Sequence, residues 1–347
     1  MNLKQAMNLK QALIEAFKNP EKKACFYTGQ NNPGIAKAMG VKNWDWTPQE
    51  SVNVEPWFWN THTAALAFGC EPTFTSEGKE WMKEVITDVS QVKDIEIPEV
   101  WAGRTGEILR EMEVLKEKLP KETLIRLPDI QSPLGVAELM WDQSFYMALL
   151  TNPEEIHLLL EKITAFTIKY VREIQNVLGD RYNPSTHPQI WSTGEGYYIS
   201  DDVNSMISPE QHMEYSIDYI NRITRELGPL HYHSCTWTEP YFENIAKLEN
   251  VKVANWSFGT SADPAELIKR FSGKFLLAPH IDLNVYREQG VASLNRNLNC
   301  AYDLTKYLLD HMLENTALYI WFQPDLCEDI EQMKRIYKLL DDCGYTP

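Results

Sequence analysis

Pro229-Leu230-His231-Tyr232-His233-Ser234-Cys235-Thr236-Trp237 reads as a short apolar strand that ends in His-Ser-Cys. Alternate side chains of a strand share a face, so His233 and Cys235 project together from its carboxyl end, with His231 one step deeper. Imidazole beside thiolate is a borderline-soft pair that suits zinc, and two such groups at one strand end make half a metal site. A buried cysteine and a hydrogen-bonded histidine that merely fill a core give the same tripeptide. The rest of the chain has to decide between the two.

Outward from that stretch, short β-rich runs alternate with longer helical patterns. Strands are predicted over 51–55, 84–88, 124–130, 189–193, 229–234, 252–256, 274–279 and 317–322. Apolar residues at three- and four-residue spacing predict helices over 105–118, 153–178, 209–227, 240–248, 264–271 and 330–340. Asn152-Pro153-Glu154-Glu155, Ser208-Pro209-Glu210 and Asp263-Pro264-Ala265-Glu266 each place a capping side chain before proline at the first helical position. Regular alternation argues for a parallel sheet, and eight units for an α/β fold closed as a single (β/α)8 TIM barrel over 51–347. A doubly wound open sheet is the alternative. A helical lead-in over 1–50, with its first helix at about 3–18, precedes the barrel. Met1-Asn2-Leu3-Lys4-Gln5-Ala6 recurs as Met7-Asn8-Leu9-Lys10-Gln11-Ala12; no function attaches to the duplication.

The chain has 347 residues, 44% of them hydrophobic, which is ample for a large core. Its net charge of −16, from 33 basic and 49 acidic residues, excludes nucleic acid and anionic membrane as partners, because either demands a basic surface. A polyanionic substrate is also excluded unless arginine collects locally. No apolar run reaches the ~20 residues that span a bilayer, and no signal-peptide pattern opens the chain, so a cytoplasmic protein is expected. The six cysteines (Cys25, Cys70, Cys235, Cys300, Cys327, Cys343) are scattered without a CxxC, as in a reduced chain.

Reactive groups of such a barrel lie where its strands end. Those ends carry Glu55, Asp88, Asp129, Glu195 with Asp201 and Asp202, then His233, Cys235, His280, Asp282, Asp325 and Cys327. Crowded carboxylates repel unless a cation sits among them, so a divalent metal is reasonable. Asp88 and Asp129 read better as solvated or capping acids. For a third ligand beside His233 and Cys235, Cys327 is chemically the best, His280 second and Glu195 third. Glu195 and Asp202 are the candidates for proton handling. Gly194-Glu195-Gly196 is too short for a phosphate loop, and no GxGxxG, Walker or Gly-x-Ser-x-Gly pattern exists. Trp57-Phe58-Trp59, with Trp44 and Trp46, would either line an apolar pocket or fill core.

Four segments carry a family likeness. They are Pro128-Asp129-Ile130-Gln131-Ser132-Pro133-Leu134 with Asn152-Pro153-Glu154-Glu155-Ile156-His157-Leu158-Leu159; Ile207-Ser208-Pro209-Glu210 leading to Tyr215 and Tyr219-Ile220-Asn221-Arg222-Ile223; His233-Ser234-Cys235; and Glu328-Asp329-Ile330-Glu331-Gln332-Met333. In order and spacing they resemble the uroporphyrinogen decarboxylase superfamily over about 125–340, with a looser echo from Ser51. The resemblance implies a (β/α)8 barrel. True decarboxylases of that superfamily carry an N-terminal Arg-Gln-Ala-Gly-Arg-type motif for substrate carboxylates. Here the region reads Phe26-Tyr27-Thr28-Gly29-Gln30-Asn31-Asn32, without arginine.

The chain is more similar to the methylcobamide:thiol methyltransferase branch, which uses a His-x-Cys zinc pair and a later cysteine. The late cysteine of that branch lies in a Ser-Pro-Gly-Cys-Asp turn; here the turn reads Phe322-Gln323-Pro324-Asp325, with Cys327 beyond it. A glutamate that some members place after the sixth strand is also replaced, in Asn255-Trp256-Ser257-Phe258. The resemblance implies a zinc-dependent methyltransferase that works with a separate corrinoid (cobalamin) protein and a small thiol or heteroatom acceptor. Zinc would be held by His233 and Cys235 with Cys327 or His280. The rival expectations are a metal-free lyase using Asp129 or Asp202, and a non-catalytic corrinoid- or small-molecule-binding barrel.

Overall fold

The computed structural model describes residues 12–27, 51–52, 61–74, 76, 80–121, 123–187, 190, 192, 194–257, 261–281, 300–322 and 330–345. Its main sheet has six parallel strands: β1 (Ala24–Tyr27), β7 (Tyr197–Ser200), β8 (Leu230–His233), β9 (Val251–Ser257), β10 (Leu276–Ile281) and β11 (Ala317–Phe322), in the order β1-β11-β10-β9-β8-β7. A second sheet runs β2-β5-β6, from Ser51–Val52, Leu124–Arg126 and Tyr182–Asn183. The two are joined by a parallel bridge from Gln131 to Ser200, where Ser200 N donates to Ile130 O at 2.8 Å and Ser132 N to Ser200 O at 2.7 Å. Pairing of the first strand with the last is the mark of a barrel. Here it is met by β1 against β11, with Ala24 opposite Ala317. Among the described residues no ladder joins β1 to β2, so the α/β ring is open at that seam.

The expected strand at 84–88 is not a stave of this ring. Glu80–Lys83 (β4) instead pairs antiparallel with Glu71–Phe74 (β3) as a separate hairpin, and Ile86 makes only an isolated bridge to Trp141. The missing stave is β1, which lies inside the expected lead-in over 1–50; that segment therefore contributes to the main sheet rather than preceding it. The fourth stave is split. Ile190 and Ser192 lie in no strand, while β6 and β7 flank them, both along the third stave. Gly196 makes this possible: its φ is +105°, and a Cβ there would stand 2.2 Å from Pro229 O. The Gly194-Glu195-Gly196 turn is thus the entry to β7.

Two cores sandwich the staves. Outward-facing Tyr197, Leu230, Tyr232, Leu277, Leu318 and Ile320 pack beneath the helices. The longest helix is Pro153–Leu178, with Pro153 at its first turn and Gly179 (φ +58°) at its end; it presents Ile156, Leu160, Ile163 and Tyr170. Each such aliphatic side chain contributes about 1.5–3 kcal/mol on full burial. Inward-facing Phe26, Val253, Leu276, Ala278, Tyr319 and Trp321 form the second core. Leu13 and Ala16, from a helix over 12–18, join this inner core, and Phe17 stands 6.2 Å from His231. Among the described residues no helix is long and apolar enough to cross a membrane.

Candidate metal centre

Strand β8 turns Leu230 and Tyr232 into the outer core and His231 and His233 into the barrel, as its alternation requires. Parallel register sets Ser200 and Asn255 on either side of His233 at the carboxyl end. Cys235 Sγ lies 3.3 Å from His233 Nε2. Asp202, two residues past Ser200, brings Oδ1 to 3.7 Å from the same nitrogen. That oxygen accepts Cys235 N–H at 2.6 Å, and Oδ2 accepts Ser200 Oγ–H at 2.6 Å. One ligand atom each from Asp202, His233 and Cys235 lies within 4.8 Å of the others.

The imidazole is oriented from behind. Asn255 Nδ2 donates to Ala278 O, which directs Oδ1 at His233 Nδ1, 2.5 Å away. Nδ1 therefore carries the proton and Nε2 offers a lone pair toward Cys235 and Asp202, the outer-sphere arrangement of metal-bound histidines. Ligands 2.0–2.3 Å from a tetrahedral ion stand roughly 3.3–3.6 Å apart, close to the separations around Nε2. Carboxylate, imidazole and thiol fit zinc in chemistry as well as in spacing.

The same Cys-His-Asn order serves thiol nucleophiles in other folds, but here the charges oppose it. Cys235 is exposed at the mouth, yet crowding by protein, then the carboxylates of Asp202 and Asp129, push its thiol well above the ordinary value. A bound cation reverses that balance.

Of the residues expected at the site, His233, Cys235 and Asp202 come together, as three groups that could hold a metal ion. His280 lies beside them: its ring stacks on that of His233 at 6.3 Å, outside the ligand group. Burial and the neighbouring His233 bring it down to about 3, so it is neutral at physiological pH. Glu195 is not brought to the site. It is exposed before β7, at the opposite end of the strands from Cys235, where its charge bears on Lys252 at the start of β9. Cys327, Glu55, Asp282, Asp325 and the tryptophans at 44, 46, 57 and 59 lie outside the described residues.

Asp88 is a capping acid as expected, accepting Ser90 N at 2.9 Å. Asp129 is not. Burial, and then the charge of Asp202, raise its carboxyl to about 7, against a hydrogen bond from Gln131 Nε2 to Oδ1 at 3.1 Å. The Gln131–Ser200 bridge, a pairing of distant chain segments, puts it there, and no local pattern announces it. Asp201 faces the other way, wholly buried: its Oδ2 meets His212 Nε2 at 2.9 Å and Tyr232 Oη at 3.1 Å, and Oδ1 accepts Ser216 Oγ–H at 2.7 Å. Asp201 thus anchors the loop that presents Asp202.

The uroporphyrinogen decarboxylase (URO-D) family model matches residues 52–180, a segment that holds Asp129 but neither His233 nor Cys235. No curated protein matches the chain. Among solved structures, a B12-independent methionine synthase from Shewanella sp. W3-18-1 is 11% identical with a TM-score of 0.42, covering 67% of this chain and 66% of its own. The homocysteine methyltransferase MmuM from Escherichia coli, in a metallated form, is 12% identical with a TM-score of 0.34, covering 93% and 98%. The likeness to the uroporphyrinogen decarboxylase superfamily is therefore a property of this chain, matched over residues 52–180.

Proposed function

We propose that this chain is a zinc-dependent methyltransferase that moves a methyl group between a corrinoid protein and a small thiol or heteroatom acceptor. The observation that carries the reading is the convergence of Asp202, His233 and Cys235, with Asn255 fixing the imidazole. The His-x-Cys pair is also what the thiol methyltransferase branch of the superfamily uses, and Asp202 would supply the third ligand. Zinc held there would lower the pKa of the acceptor's thiol so that it reacts as a thiolate at neutral pH. The corrinoid would bring the methyl group, on a separate protein.

The protein's own part is orientation and proton handling. Ser200 and the Cys235 amide hold the Asp202 carboxylate. Asp129, close to half-protonated at neutral pH, takes the proton that the acceptor sheds. Glu195 has no part in this assignment.

The adjacency of Asp129 and Asp202 favours one second reading, a metal-free lyase in which the carboxyl pair stabilises a protonated intermediate. Elemental analysis separates the two. About one zinc per chain, lost together with methyl transfer from methylcobalamin to a thiol in Cys235→Ser, supports the methyltransferase. Full zinc stoichiometry in that variant, or a metal-free active protein, overturns it.

A further inference from the structure

Strand β5 places a cation inside the barrel. Ile125 and Leu127 point outward into the core beneath the helices, so Arg126 points inward. Arg126 is 8% exposed. Among the described residues no carboxylate pairs with it and no acceptor takes its Nε proton. Its charge is felt by His187, whose ring stands 5.0 Å from that of His233, and it lies close to Tyr319 on the inner face of β11. Other buried polar atoms facing this interior also lack partners among the described residues: Trp321 Nε1 and His280 Nδ1. An indole N–H and a guanidinium can only donate, and a neutral imidazole can also do so.

A guanidinium taken out of water without a counter-charge is strongly disfavoured, and a chain retains one where something negative reaches it. Among the described residues the acidic groups of the mouth do not fill this role, since Asp202 is turned to Ser200 and Cys235, and Asp129 to Gln131. We infer that Arg126 is the floor of an anion subsite, and that the acceptor is a small molecule with one anionic group, a carboxylate or an acid of similar shape, at the end remote from its nucleophilic atom. A single guanidinium in a chain of net charge −16 suits one such group and repels a polyanion. The identity of the nucleophilic end rests on the zinc reading above; the anion subsite does not.

The probes are a series of ω-mercaptocarboxylates and the ω-mercaptoalcohols of equal length, titrated calorimetrically into zinc-loaded and chelator-treated protein. In the wild type the carboxylate of the best-fitting length should bind at least about tenfold more tightly than its alcohol, as expected for a charge-assisted pair. Arg126→Met should abolish that discrimination while keeping zinc stoichiometry, and Arg126→Lys should keep part of it. Ligand-free Arg126→Met should also melt no lower than the wild type, because it removes an uncompensated buried charge. Equal affinity for acid and alcohol in the wild type overturns the subsite even if the variants fail to fold. So does discrimination that survives Arg126→Met. If the zinc reading alone is wrong, acids still outbind alcohols, with no difference between loaded and chelated protein.

Discussion

His233 Nδ1 and Asn255 Oδ1, contributed by neighbouring strands, lie 2.5 Å apart. The contact ties the nitrogen opposite Nε2, and with it the orientation of the whole imidazole, to the next stave of the sheet, and through Asn255 Nδ2 to Ala278 O on the stave after that. Asn255→Ala should therefore leave all three ligands in place yet weaken zinc binding by roughly 10- to 100-fold, the usual effect of losing an outer-sphere partner. Competition with a chromogenic chelator measures it, and an unchanged affinity would show that the ring is held by other contacts.

Among the described residues Asp202 is the carboxylate grouped with the His233–Cys235 pair, and Cys327 is the chemically favoured third ligand from the sequence. If Asp202 is the third ligand, Asp202→Ala loses stoichiometric zinc whereas Cys327→Ser and His280→Ala retain it. Metal content after dialysis decides among the three. Zinc loss in Cys327→Ser with retention in Asp202→Ala would reverse the assignment.

Asp129 titrates near 7 instead of at 3.8. Between those values the folded chain keeps a proton that the unfolded chain has released, so stability falls as pH rises through the window and the cost persists above it. Asp129→Asn removes that cost. In chelator, its melting temperature should exceed that of the wild type at about pH 8 and converge with it near pH 4. Parallel curves would place the carboxyl in water.

Asp201 Oδ2 and His212 Nε2 meet at 2.9 Å, with both side chains fully buried. Burial alone would raise the Asp201 carboxyl, but the hydrogen bonds and charge of His212, with Ser216 behind them, hold it below its ordinary value. His212→Phe strands that carboxylate and should cost about 3–5 kcal/mol in urea unfolding, while Asp201→Asn, which keeps most of the hydrogen bonds, should cost less. A loss under about 1 kcal/mol for His212→Phe would mean that the pair adds little to stability.

Much of the fold was legible because it is written in local pattern. The strand predicted over 317–322 and the helices predicted over 153–178 and 264–271 match the structure at both ends. They are long or strongly periodic, and the two helices are bounded by proline and capping signals. The errors fell where pattern is weak. Ala24–Tyr27 is only four residues long, behind an amphipathic helix, and nothing local distinguishes it from a loop. The run at 84–88 has strand composition, but its neighbours pair as a hairpin away from the ring.

The site divides along the same line. His233 and Cys235 share a strand end, two residues apart, so alternation alone made them neighbours, and imidazole beside thiol is a pair that suits zinc. Asp202, Asn255, Asp129 and Arg126 come from three other strands or the loops after them. Which of many acids closes the ligand set, which amide orients the imidazole and which cation lies unpaired in the barrel follow from strand register. Register is a pairing between distant segments, and a single chain read by its local periodicities does not contain it.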